Sequence, residues 1–291
     1  MVVLAGGILA AQTESGPAFE VASVKPAEIT PGRRLTPLDG GPGSKTPTRL
    51  AGITTMKALL IRAYGVKSYQ IRGPDWMDMA LYEIDARVAP GATKEQAAAM
   101  FQTLLRERFH AEIHRETKDG SRYTLLVEKD GPKLKESDPV AAAEDEKAAA
   151  EGDLPRPKVT MGADGFPQIP ADAKLPGSFS LTLSSGQFTR TKLFARHQTM
   201  DELADLISGY VNHRVLNLTG FAGKYDFTLA FESDPRFPDA ADLSSAPAAP
   251  AETGPTVFAA IRQQLGLRLE AGTGPVEMLV IDHLEKVPTG N

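Results

Sequence analysis

Apolar and polar positions along this chain change period several times, and each change marks an element. Phe19-Glu20-Val21-Ala22-Ser23-Val24-Lys25-Pro26 alternates with β-branched residues, which predicts a strand stopped by its proline. Thr55 to Tyr64 carries apolar residues at helical spacing after a threonine cap, and Thr199 to Ile207 repeats the same threonine–methionine–x–x–leucine design. The first helix leads to the alternating strand Leu81 to Val88, the second to Gly223 to Phe231. A further amphipathic helix follows in each half, at Lys94 to Glu107 and at Thr256 to Leu265. Two closing strands then read as a hairpin in each half: Phe109 to Arg115 with Tyr123 to Glu128, and Leu267 to Ala271 with Val276 to His283.

The pattern predicts an α+β fold of two repeated helix–strand–helix–hairpin halves, each a small sheet covered by its helices. Met56 is expected to match Met200, and Tyr82 to match Tyr225. The N-terminal half takes residues 13–131 and the C-terminal half 178–291, with a flexible insertion at 233–254. Between the halves, 132–177 reads as an acidic low-complexity linker. From Pro132 to Pro155 it holds seven acidic and three basic residues, a net of −4 that signals solvation.

Composition narrows the function classes. A net charge of −5 lacks the basic surplus that a phosphate backbone demands, so nucleic acid is set aside as a partner. The absence of cysteine excludes disulfides, thiolate metal sites and a cysteine nucleophile. No apolar run approaches the ~18 residues of a bilayer span, so the chain does not read as membrane-integral. Residues 1–12, Met1 to Gln12, are apolar and end in small residues without a basic start; they are either a truncated export signal or a first buried strand.

Several long stretches resemble the soil-associated protein family of Acidobacteria, an uncharacterised domain family. They are Phe19 to Pro26, Arg62-Ala63-Tyr64-Gly65-Val66, Gly73-Pro74-Asp75-Trp76, Arg106 to Thr117, Leu218 to Asp226 and Val280-Ile281-Asp282-His283. The resemblance implies an exported bacterial protein, periplasmic or secreted, and assigns no catalytic residue. By order of elements alone, Met200 to Glu285 is similar to the short N-terminal domain of secretins and TonB-dependent receptors, a periplasmic docking module.

Candidate chemistry is sparse. His110 and His114 would be neighbours on a helix, but the alternation of Phe109, Ala111 and Ile113 says strand, which puts the imidazoles about 13 Å apart on a solvated face. His197, His213 and His283 are isolated in sequence. Trp76, the single tryptophan, is either a lid on the core or the aromatic wall of a ligand groove. Glu232, Asp234, Asp239 and Asp242 concentrate hard oxygen ligands in a proline-rich loop, a candidate Ca²⁺ site. Two functions remain open. One is an exported binding module for an envelope protein, peptide or glycan; the other is a Ca²⁺-assisted hydrolase of small esters or lactones.

Overall fold

The computed structural model describes residues 17–28, 36–151, 160–170, 177–185, 188–233 and 254–290. Residues 1–12, read as either a truncated export signal or a first buried strand, lie outside them. In chain order the strands are β1 (Val21–Ala27), β2 (Asp39–Gly40), β3 (Arg49–Thr55), β4 (Ile71–Arg72), β5 (Leu81–Arg87), β6 (Glu112–Val127), β7 (Lys135–Glu136), β8 (Thr160–Met161), β9 (Pro167–Gln168), β10 (Gly177–Ser185), β11 (Phe188–Gln198), β12 (Arg214–Asn217), β13 (Tyr225–Ser233) and β14 (Leu267–His283). The helices are α1 (Met56–Tyr64), α2 (Lys94–Phe109), α3 (Pro139–Glu151), α4 (Met200–Val211) and α5 (Val257–Ala260), the last continuing into a π-turn over Ile261–Leu265. The fold is α+β, and among the described residues no helix is long and apolar enough to cross a membrane.

The chain forms two compact units: Met1–Thr117 with Glu277–Asn291, and Lys118–Val276. The last strand therefore ends in the first unit, whereas a division into consecutive halves keeps it with the second. In the first unit β1, β5, β3 and β2 form one antiparallel sheet in that order. β4 pairs parallel to the end of β14 through Leu279 and Val280. Met56, Leu59, Leu60, Phe101, Leu105 and Phe109 from α1 and α2 fill the core against Leu50, Tyr82 and Ile84. The Tyr82 hydroxyl donates to the Lys286 carbonyl at 2.6 Å, and burial pushes its pKa up to about 12. Pro26 does not stop β1. It lies opposite Tyr82 inside the strand, tolerated because β1 is at the sheet edge and a missing N–H costs no ladder bond there.

In the second unit the sheet runs β10-β11-β13-β7, and β12 pairs parallel to β6 at Tyr123 to Leu125. Met200, Leu203, Ile207 and Val211 of α4 pack on Leu193, Leu229 and Phe231. The π-turn closes at Gly266, with φ of 65° and a Cβ position only 2.3 Å from the Gly131 carbonyl, so a side chain there meets backbone. Helix starts follow the sequence. Thr55 and Thr199 each accept from the backbone N–H three residues on, and Glu202 completes a capping box. Thr55 ends β3 and Thr199 directly follows β11, and the antiparallel partner of each strand carries the expected tyrosine: Tyr82 lies opposite Thr54, and Tyr225 opposite Gln198.

Two expectations are corrected. The closing hairpins are absent, because β6 and β14 are continuous strands of 16 and 17 residues. Gly120, Gly272 and Gly274 suggest turns in sequence, yet none has the positive φ that a tight turn would use. Nor are the described residues of the acidic low-complexity linker 132–177 all unpacked. β7 pairs with β13, α3 follows, and Ser137, Ala142 and Asp145 are buried.

Met56 and Met200 are both fully buried at helix starts. Truncating either to Ala should lower unfolding stability by about 2–5 kcal/mol in urea titrations. A cost near zero would mean that the site repacks.

Candidate functional site

Among the residues singled out in sequence, His110 and His283 both face Glu285, at 3.0 and 3.9 Å. Trp76 sits in a 3-10 turn, Asp75–Asp78, and packs partly buried on the core of the first unit, where it caps apolar side chains. Glu232 is engaged by its neighbours: it faces Arg190 at 3.3 Å and accepts from the Gly254 N–H at 2.6 Å. Asp234, Asp239 and Asp242 lie outside the described residues. Among the described residues no group of three or more His, Asp or Glu is placed to hold a metal. His110 is not in a strand but caps α2 with φ of 48°, 3.0 Å from Glu285, while His114 sits on β6 against Asp282 at 2.6 Å. His213 is tied to the Val211 carbonyl at 2.9 Å and lies edge-on to Tyr123.

The polar cluster that the structure does build is in the second unit. β11 alternates strictly, with Thr191, Leu193 and Ala195 inward and Arg190, Lys192, Phe194 and Arg196 outward. At His197 the backbone turns to φ of 56° and the register with β13 shifts between Ala195 and Gln198. At this bulge the alternation breaks, so that His197 and Gln198 are both buried just before the Thr199 cap. Its side chain is 3% exposed. Nε2 meets Asp145 Oδ2 of α3 at 3.2 Å, and Nδ1 faces Asp226 Oδ1 at 3.6 Å without a hydrogen bond.

Asp226, near the start of β13, gathers three elements. Its Oδ1 accepts from the Ser137 hydroxyl at 2.6 Å and the His197 N–H at 3.0 Å, and its Oδ2 faces Arg196 at 3.6 Å. Burial alone would raise its pKa. The Ser137 and His197 donors, with the nearby positive charge of Arg196, outweigh that and hold the carboxyl below its ordinary value. The same contacts fasten the former linker: the Ser137 N–H donates to the Lys224 carbonyl at 2.8 Å, and Glu146 pairs with Lys224. Because the Ser137 hydroxyl donates to Asp226 and not to His197, serine, histidine and aspartate are not ordered as a nucleophile and its base.

Beside this cluster a cleft of about 230 Å³ opens on the outward face of the sheet. Phe179 of β10 and Phe194 of β11 stack on each other in its lining, ring centres 5.1 Å apart and nearly parallel. Lys135, Arg196 and Asp226 line its polar side, giving one surplus positive charge. An aromatic wall beside cations suits a flat ligand carrying an anionic group. Sequence reading missed this site because its residues come from the supposed linker, from strands the periodicity did not mark, and from the start of the strand Gly223 to Phe231, where Asp226 carries no signal of its own.

A family described as protein of unknown function (DUF3738) matches residues 57–284. No curated protein and no solved structure matches the chain.

The depressed pKa of Asp226 sets a sign for acid sensitivity. Its stabilisation is fully present above the ordinary aspartate value and is lost as pH falls through the lowered one. Asp226→Asn should cost about 1–3 kcal/mol at neutral pH, from weakened hydrogen bonds to a charged acceptor. The gap to the wild type should shrink as denaturation curves are taken into acid below the ordinary aspartate range. A gap that stays constant with pH would show that the charge of Asp226 does not stabilise the fold.

Proposed function

The chain belongs to the DUF3738 family, and on that footing we propose that it is an exported bacterial binding module whose ligand lies in the cleft between Phe179, Phe194, Lys135 and Arg196. The ligand is a carboxylate with a flat apolar face, as at the end of an acidic glycan or of a peptide. The stacked phenylalanine pair carries this reading. Phe179 remains 36% exposed while a ring lies against it, which leaves an aromatic surface open next to two cations. The cluster of Ser137, Asp145, His197 and Asp226 serves the cleft as a support, since it fixes the β11 bulge and the β7 turn from which Arg196 and Lys135 project.

The two units are further read as one design used twice. Each runs strand, threonine-capped helix, short parallel strand, antiparallel strand, helix and long strand, as β3-α1-β4-β5-α2-β6 and β11-α4-β12-β13-α5-β14. The tyrosine positions opposite Thr54 and Gln198 support that reading. A periplasmic or secreted location rests on the sequence resemblance and belongs to the same proposal.

Thermal melts test the binding site. Galacturonate and N-acetylphenylalanine should raise the melting temperature, because a ligand that binds only the native state stabilises it, whereas N-acetylphenylalanine amide should not. Phe194→Ala and Arg196→Gln should each abolish the shift. A melting temperature indifferent to both carboxylates, or a shift that survives both substitutions, would remove the cleft as the site.

A further inference from the structure

β10 lies at one edge of its sheet, and among the described residues no strand lies beyond it. Exposed edges are normally defended by charge, proline or brevity, since a row of free N–H and C=O groups invites another strand. Other edges in this protein follow the rule. β1 carries Lys25 and Pro26, and β7, at the far side of β10's own sheet, has two residues, both charged. β10 has none of these devices. Its nine residues, Gly-Ser-Phe-Ser-Leu-Thr-Leu-Ser-Ser, include no charge and no proline, and Phe179 and Leu183 remain 36% and 42% exposed.

The order of those residues says what fits the edge. Around Leu181 the strand reads the same in both directions as a pattern of apolar and hydroxyl side chains. When an antiparallel copy is laid alongside with Leu181 at the centre, Leu181 meets Leu181, Phe179 meets Leu183, Ser180 meets Thr182, and Ser178 meets Ser184. All nine residues then pair. Every apolar side chain faces an apolar one, the hydroxyls of Ser178, Ser180, Thr182 and Ser184 face hydroxyls, Gly177 meets Ser185, and no charge opposes another, so seven of the nine positions carry pairings that stabilise an antiparallel ladder. A two-fold axis through one residue pair also makes the contact isologous, so it closes after two copies.

We propose that β10 is a self-association edge through which two copies of this chain pair antiparallel about Leu181, joining their β10-β11-β13-β7 sheets. A single strand pair is a small interface, so the dimer should depend on concentration.

The test is the mass of the full-length chain in solution, by sedimentation and light scattering over a concentration series. The wild type should pass from one copy to two as concentration rises. Two double variants change the exposed hydroxyl positions that face each other across the axis: S180K/T182K and S180E/T182E. Each alone should remain a single copy, because like charges then oppose across the ladder. Mixed in equal amounts, they should form a heterodimer, because lysine then faces glutamate. Far-UV circular dichroism and melting curves like those of the wild type confirm that each variant is folded, and the rescue on mixing cannot come from two misfolded chains. A wild type that stays a single copy at every concentration, as it would if the edge served a different protein, overturns the proposal. So do variants that still self-associate, and so does a mixture that fails to pair.

Discussion

A carboxylate drawn partly out of water must find donors or it neutralises, and half-buried Asp226 imposes that requirement on the second unit. Its partners come from β11, from the loop after β7 and from the backbone of a residue in a left-handed conformation. Meeting them at once fixes the bulge at His197, the entry into α4 and the course of residues 135–148. The cleft inherits its geometry from the same set, because Arg196 sits one residue before the bulge and Lys135 directly opposite Asp226 in the β7–β13 pair. A site of this kind is held by local strain, at His197, that neighbouring hydrogen bonds keep in place.

What could be read from sequence and what could not divide by range. Thr55-Met56 and Thr199-Met200 announce helices because a cap and its N–H lie three residues apart, and the apolar spacing that follows is equally local. Strand β5 is plain for the same reason. By contrast, Ser137 and Asp145 meet their partners 89 and 52 residues away, and an alanine-rich acidic stretch gives no local hint of a buried face. The alternation of β11 was hidden by its long cationic side chains, which point outward with Phe194 and read as surface.

The candidate chemistry shows a related limit. An acidic run such as Glu232 to Asp242 attracts attention because its members are close in sequence, but Glu232 is committed to Arg190 and the Gly254 amide. His197 attracts none, being isolated, and proves to be the buried histidine with carboxylates on two sides. Proximity in the chain is a poor guide to proximity in this fold.

The return of β14 to the first unit bears on how the protein is made. Residues 277–290 leave the ribosome after all of the second unit, yet β4 takes its parallel partner from them and Tyr82 its hydroxyl acceptor. Until those residues are made, the first unit must wait with a gap where Leu279 and Ile281 belong in its core. Such contacts span some two hundred residues, as Tyr82 to Lys286 does at 204, and contacts that distant slow folding because the chain between them must first be brought round. The second unit is contiguous and meets no such delay, so the part synthesised later is the one free to fold first.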